Sequence, residues 1–392
     1  MKIAVAMSGG VDSSAAAGLL LEQGHQVVGV TLQQWPRSDA AELERHGGCC
    51  SLNAVEDARR VAALLGVPYY CWNLEAEFGK RVIEPFHRAY LAGETPNPCL
   101  RCNAFVRFDL MLRRVLALGF DALATGHYAR VVQGPRGPEL HAAADPAKDQ
   151  SYMLYHLDRE RLEHLVFPLG DLVKSETREH ARRLGLPVAD KPESQEICFI
   201  PRGRTAEYLA GRLPVREGDL VTAGGRRVGS HRGVPLYTVG QRHGFGDLAE
   251  PGPWYVLRLE PAANRVVVGR RHELGRTAVR LRDVSFIDGQ PGARWSARRG
   301  CATTPGRCRP PTERACSAWP SLSTAWPQAR RRCSIGELGS WAEERSVLSR
   351  RLPGSASGGK GAGRHPARAR TAGGTPGSAS ACAPLPRRPP SG

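Results

Sequence analysis

Short apolar runs alternate with amphipathic stretches along the first 130 residues, and that alternation leaves the chain very few folds. KIAVAM (2–7) stops at SGGVDSS, after which AAAGLLLEQG reads as a helix closed by glycine. HQVVGVTL supplies a second strand, VEDARRVAALLG (55–66) a second helix and VPYYCWNL a third strand. FVRFDLMLRRVLALG (105–119) reads as a further helix and DALATGHYARV as the strand after it. Strands joined by crossover helices pair in parallel, so the pattern predicts a doubly wound α/β sheet. Such sheets bind ligands outside the carboxyl ends of their strands, where SGGVDSS, Leu32–Trp35 and Gly126–His127 fall.

From about residue 204 the rhythm changes to short strands punctuated by turns. DLVTAGGRRVG, PLYTVGQR and PWYVLRLEPAANRVVVGR, the last a hairpin across PAAN, predict a small and mainly antiparallel β domain. KDQSYMLY earlier in the chain reads as a charged loop before a strand, SYMLY. AVRLRDVSFIDG opens another β unit. The expected divisions are 1–203 for the α/β domain, 204–272 for the β domain, 273–293 for the start of an incomplete C-terminal β-barrel, and 294–392 for an anomalous basic tail.

That tail changes how the charge is read. The whole chain carries 55 Lys and Arg against 38 Asp and Glu, a net of +17, but residues 294–392 alone hold 17 Arg and one Lys against four Glu. Residues 1–293 are therefore close to neutral, at +3, and the global charge says little about the folded part. The tail has no Asp, Phe or Tyr, yet four Trp and five of the eleven Cys, a composition unable to supply sheet faces. We expect a wrong reading frame from about Arg294, the composition being that of a GC-rich gene read out of frame; a natural disordered basic tail is the alternative.

At 392 residues two or three domains are expected. No apolar run approaches the roughly 20 residues of a membrane helix, and MKIAVAMSGG breaks into glycine too early for a secretory signal, so the expectation is a cytoplasmic protein with no membrane contact. Cys49, Cys50, Cys71, Cys99, Cys102 and Cys198 are too unevenly scattered for a disulfide scaffold, and in a reducing compartment they point to chemistry or metal.

Ser8–Ser14, SGGVDSS, sits between strand and helix, where backbone N–H groups and the helix N-terminus hold an anion. Gly9 and Gly10 let the chain approach a phosphate closely, Ser8, Ser13 and Ser14 add hydroxyls, and Asp12 could hold Mg²⁺ against the phosphates. The loop lacks the Lys of a Walker sequence and is not G-x-G-x-x-G; a tight turn with an N-cap is the competing reading. In TPNPCLRCN (95–103), Pro96 and Pro98 stiffen the approach, Arg101 lies between the thiols, and a helix start near Asn103 would lower a thiol pKa. A zinc knuckle or two idle buried thiols compete with a nucleophile here, although no second pair of metal ligands accompanies the motif. Arg202, Arg204, Arg212, Arg216, Arg226, Arg227, Arg232 and Arg242, with His231 and His243, outnumber Glu207, Glu217 and Asp219 in the β domain, which suits a phosphate backbone or merely a solvated surface.

The loop resembles that of the N-type ATP pyrophosphatases, which include amide-forming and argininosuccinate-type synthetases as well as tRNA-thiolating enzymes. SGGVDSS, TPNPCLRCN, ATGHYAR, KDQSYMLY, SQEICFIP and YTVGQRHGFG, in this order, resemble the tRNA-specific 2-thiouridylases of the bacterial MnmA type over residues 1 to about 293. The resemblance implies ATP- and Mg²⁺-dependent adenylation of the C2 oxygen of the wobble uridine in tRNA, followed by sulfur transfer from a cysteine persulfide. It assigns Ala6, Met7, Ser8, Gly9, Gly10, Val11, Asp12 and Ser13, with Leu32 and Gly126, to the nucleotide. Asn97, Pro98 and Cys99 would wall the flipped base, His127 would lie near it, and Lys148, Asp149 and Gln150 would touch tRNA. Cys198 would carry the sulfur and Cys102 act as nucleophile, the two ending disulfide-linked, with a cysteine desulfurase or sulfur-relay protein as donor. Cys99 departs from the aspartate of many relatives, so a [4Fe–4S] cluster on Cys99, Cys102 and Cys198 is the alternative sulfur carrier. The family's C-terminal barrel motifs are not found after residue 293.

Overall fold

Five parallel strands form the main sheet, in the order β3 (Tyr69–Asn73), β2 (Gln26–Gln33), β1 (Lys2–Ala6), β4 (Ala122–Thr125) and β7 (Leu165–Val166). The computed structural model describes residues 1–34, 52–193, 197–201, 203–246, 248–275 and 283–287, with backbone alone at 52, 298–300 and 332–334. Side chains alternate across a strand, so a strand covered on both faces must be apolar throughout. Ile3 and Val5 accordingly face one core with α1 (Val11–Glu22) and α2 (Leu52–Leu64), while Ala4 faces the other. That second core holds Phe78, Phe86 and Phe108 from two long helical runs, α3 (75–91) and α4 (98–117). Each of these three rings is fully buried and contributes about 1.5–3 kcal/mol relative to exposure.

Strand order reverses at β1, which pairs with β2 on one side and β4 on the other. The crevice between the ends of β1 and β4 is therefore where a ligand belongs. Two glycines make it: Gly9 has φ +68° and a Cβ there would lie 2.1 Å from the Ala54 carbonyl oxygen, while a Cβ on Gly126 would lie 2.6 Å from the Ser13 backbone nitrogen.

Several expectations are corrected. DALATGHYARV is not one strand, because β4 ends at Thr125 and β5 (Ala129–Gly134) starts a separate hairpin with β6 (Gly137–Ala142). SYMLY is not a strand: Ser151–Leu154 is a 3-10 turn. The helix carrying the C-x-x-C begins at Pro98, not near Asn103, with Asn97 as its N-cap and proline at the first helical position, which needs no N–H there. α5 (Lys174–Arg183) packs on α1, and α6 (Thr205–Ala210) leads into the β domain.

The β domain is a four-stranded sheet in the order β10 (Tyr255–Glu260), β11 (Arg265–Gly269), β8 (Gly218–Thr222) and β9 (Arg227–His231). β10 and β11 pair antiparallel across Pro261–Ala263, with Asn264 left-handed at φ 48°, so the hairpin across PAAN forms as expected. PLYTVGQR is not a strand: a 3-10 turn, Val234–Leu236, runs into it. The incomplete barrel and tail fall largely outside the described residues; Arg298–Gly300 and Arg332–Ser334 form short strands paired in parallel.

Candidate functional site

The crevice opens into a cavity of about 290 Å³. Ala6–Ser13, Leu32 and Gly126 all line it, so every residue expected to touch the nucleotide shares one wall system. His127 and Gln150, expected near the base and tRNA, line the same cavity. Gln34, within the strand-end stretch Leu32–Trp35, lines it too, as do Arg107, Thr125, Lys191 and Glu193, which sequence reading missed. The elements of Arg107 and Thr125 were foreseen, but no local motif marks a residue whose role depends on distant neighbours.

Within the loop, the Ser8 N–H donates to Ser13 Oγ (3.0 Å), and the hydroxyls of Ser13 and Ser14 donate to the Gly10 carbonyl. Ser14 is fully buried there and does not line the cavity, so its hydroxyl fixes the turn instead of facing an anion. A paired cation network surrounds the loop. Lys191 Nζ donates to the Gly9 carbonyl (2.9 Å) and to Asp57 (2.7 Å); Lys174 Nζ bridges Asp12 (2.6 Å) and Glu193 (3.0 Å). Burial raises the Glu193 pKa, but hydrogen bonds from Lys148 and Lys174 outweigh it and hold the carboxyl below its ordinary value. Tyr128 lies over this network, its hydroxyl 3.0 Å from Asp12 Oδ1, with burial and then the Asp12 charge pushing its pKa well up.

His127 is 8 % exposed, and burial first, then Arg107 and His156, pushes its pKa down to about 3. Its ring is thus neutral at physiological pH. The Thr125 hydroxyl sits 2.6 Å from Nδ1 and accepts the His127 backbone N–H at 3.4 Å; with Thr125 donating to Nδ1, Nε2 carries the ring proton. Lys148 pairs with Glu193 at 2.8 Å. Asp149 accepts from the N–H groups of Ala143 and Ser151, and Gln150 from that of Tyr128. All three side chains expected at tRNA thus also brace this end of the sheet.

The thiol helix, α4, reaches the cavity through Arg107. The Asn97 side chain accepts the Cys99 N–H (3.0 Å), leaving Cys99 partly buried and Cys102 8 % exposed in the apolar core. Arg101, expected to act on the thiols, donates to the Arg81 carbonyl (3.0 Å) and stacks on Phe105, 4.7 Å from its centroid. Cys102 Sγ accepts from Gln34 Nε2 at 3.6 Å, which ties the thiol to the cavity wall. Cys198 packs partly buried against the same apolar core as Cys102. Among the described residues no three His, Cys, Asp or Glu gather as metal ligands, so Cys99, Cys102 and Cys198 do not fit a cluster in this arrangement. Asp12, next to a phosphate loop, fits Mg²⁺ shared with phosphate oxygens, the usual way this ion is held.

In the β domain His231 is 1 % exposed, its Nε2 3.1 Å from the Asn264 carbonyl; it is a core residue and not part of a basic surface. Arg204 pairs with Glu207, Arg226 with Glu250 and Arg227 with Asp219, while Arg202 lies outside the described residues.

Known proteins share this arrangement in sequence. A family model described as the tRNA methyl transferase HUP domain matches residues 1–202, and one described as the tRNA methyl transferase PRC-barrel domain matches residues 206–270. A tRNA-specific 2-thiouridylase MnmA from Acidothermus cellulolyticus is 52% identical over 284 residues, covering 71% of this chain and 78% of the relative. Those of Rhodospirillum centenum and Carboxydothermus hydrogenoformans are 49% and 47% identical, covering 74% and 73% of this chain and 75% and 79% of the relatives. Identity at this level over nearly three quarters of the sequence leaves one conclusion: the chain belongs to the tRNA-specific 2-thiouridylase family.

Proposed function

We propose that this chain is an ATP-dependent tRNA sulfurtransferase that converts the wobble uridine of tRNA to 2-thiouridine. The C2 carbonyl of uracil is a poor electrophile, so its oxygen must first become a leaving group. Attack of that oxygen on the α-phosphorus of ATP gives an adenylated base and releases pyrophosphate. The SGGVDSS amides and Lys191 suit the polyphosphate, and Leu32 and Gly126 the nucleoside. Mg²⁺ would be held by Asp12, neutralising phosphate charge, with Lys174 exchanging its carboxylate partner for a phosphate oxygen.

Sulfur arrives as a persulfide on Cys198, delivered by a cysteine desulfurase or sulfur-relay protein. Cys102 attacks the inner sulfur of that persulfide, the Cys102–Cys198 disulfide forms, and the released hydrosulfide adds to C2 and expels AMP. A neutral His127 with its proton on Nε2 donates to the base without adding charge. Asn97, Pro98 and Cys99 are suited to wall the flipped base, and Lys148 to meet phosphate at the cavity rim. Among the described residues no helix is long and apolar enough to cross a membrane, in keeping with a cytoplasmic enzyme.

The observation carrying this reading is the hydrogen bond from a cavity-wall residue, Gln34, to the Cys102 sulfur. Its test is nucleoside analysis of tRNA incubated with the protein, ATP, Mg²⁺ and a persulfide source. We expect 2-thiouridine with pyrophosphate and AMP released in equal amounts; a folded protein that yields none would refute it.

A further inference from the structure

One neutral side chain touches both halves of the site. Gln34 follows the last residue of β2, is 3 % exposed, lines the nucleotide cavity and donates its amide to Cys102 Sγ at 3.6 Å. Both ends of that contact are fixed. On the strand side, the preceding Gln33 pairs with Asn73 of β3 and its carbonyl accepts the Leu74 N–H at 2.9 Å. On the helix side, Asn103, directly after Cys102, accepts from Arg107 (3.2 Å) and donates to the Met153 carbonyl (3.4 Å), so this turn cannot swing freely.

A thiol at 8 % exposure in an apolar core favours its protonated, unreactive form. An amide N–H pointing at the sulfur works in the opposite sense, because it stabilises the thiolate more than the thiol. We propose that Gln34 is a positioning residue that holds the Cys102 sulfur at the cavity wall as a reactive thiolate, an inference that rests on Cys102 being the nucleophile. Gln34 carries no charge, so it does this without repelling nucleotide phosphates in the same cavity.

Other titratable and charged groups lie on the elements packed around Cys102. Lys80 and Arg81 lie on the neighbouring turn Gly79–Ile83, and Cys99, Arg101 and Arg107 on its own helix. Tyr152 lies on Ser151–Leu154, and His127, His156 and Cys198 pack on or within the same apolar region. None of them changes when Gln34 is replaced, so a difference between variants reads Gln34 alone.

The test is the pH dependence of iodoacetamide alkylation at Cys102, read by peptide mass spectrometry in the full chain, for wild type, Gln34→Met and Gln34→Glu. Loss of one hydrogen bond to a charged group is expected to raise the midpoint by about one pH unit in Gln34→Met, roughly a tenfold smaller thiolate fraction at neutral pH. Gln34→Glu, whose carboxylate repels a thiolate, is expected to raise it further, and the pH profile of thiolation should move by the same amount. Equal midpoints in all three proteins would overturn the proposal. So would faster alkylation at every pH with an unmoved midpoint, the signature of a merely loosened fold. Cys102→Ser separates the two levels: if it still thiolates tRNA, the nucleophile reading beneath the proposal fails, whatever the midpoints do.

Discussion

At the carboxyl end of the parallel sheet, the Lys174 side chain is 12 % exposed and bridges two carboxylates; on the β domain, that of Arg227 is 65 % exposed and pairs with Asp219 at 2.6 Å. The same chemical event, a cation meeting a carboxylate, has different consequences in the two places. In the crevice the charges are partly desolvated, so each partner depends on the other and on precise geometry. On the β domain, water and salt screen the pairs, and arginines there can exchange a carboxylate for a phosphate at little loss. Specific chemistry suits the first environment, and salt-dependent holding of a polyanion would suit the second.

The sharpest way to break the crevice is steric. In Gly126→Ala the added Cβ would meet the Ser13 backbone nitrogen at 2.6 Å and the Asp12 carbonyl carbon at 2.7 Å, so β4 and the loop must separate. We expect tRNA-dependent pyrophosphate release to fall about a hundredfold or more, the effect of an ångström-scale displacement of reacting groups. Lys174→Met comes next. It leaves Asp12 without its lysine and Glu193 with Lys148 alone, and is expected to lower unfolding stability by about 1–3 kcal/mol in denaturant titrations.

Much of this crevice is readable in the sequence because its makers are local. Gly9 and Gly10 announce a close approach, the apolar KIAVAM places the loop at a strand end, and Gly126 follows the next strand in line. The pairings of Gln34, Lys174 and Lys191 escape such reading, since their partners Cys102, Asp12 and Gly9 lie 68, 162 and 182 residues away in the chain. The helix start at Pro98 was within reach: Asn-Pro is an N-cap followed by a proline at the first helical position. His231 misled because composition reports charge and not burial; only the pairing of β8 with β9 sends it inward.

Smaller effects sharpen the contrast through pH. The folded His127 pKa is depressed to about 3, so below the unfolded value of about 6.5 the unfolded chain takes up the proton first. The stability from neutral His127 is therefore full above about pH 6.5 and is lost as pH falls toward 3. His156, depressed to about 4 by burial first and then by Arg161, adds in the same sense. The thermal midpoint should drop over this window, and His127→Asn should flatten the drop. Smallest of all is Arg227→Ala: stability should change by less than about 0.5 kcal/mol, while the logarithmic salt slope of tRNA binding should fall by about one. An unchanged slope would remove Arg227 from the tRNA-binding surface.

The most direct test of a cavity and a thiol acting as one site is a single-turnover reaction of Cys102→Ser with tRNA, ATP, Mg²⁺ and a persulfide source, measuring pyrophosphate and 2-thiouridine together. Pyrophosphate released at near wild-type amount with no 2-thiouridine is the predicted result. Formation of 2-thiouridine by the serine variant would contradict it.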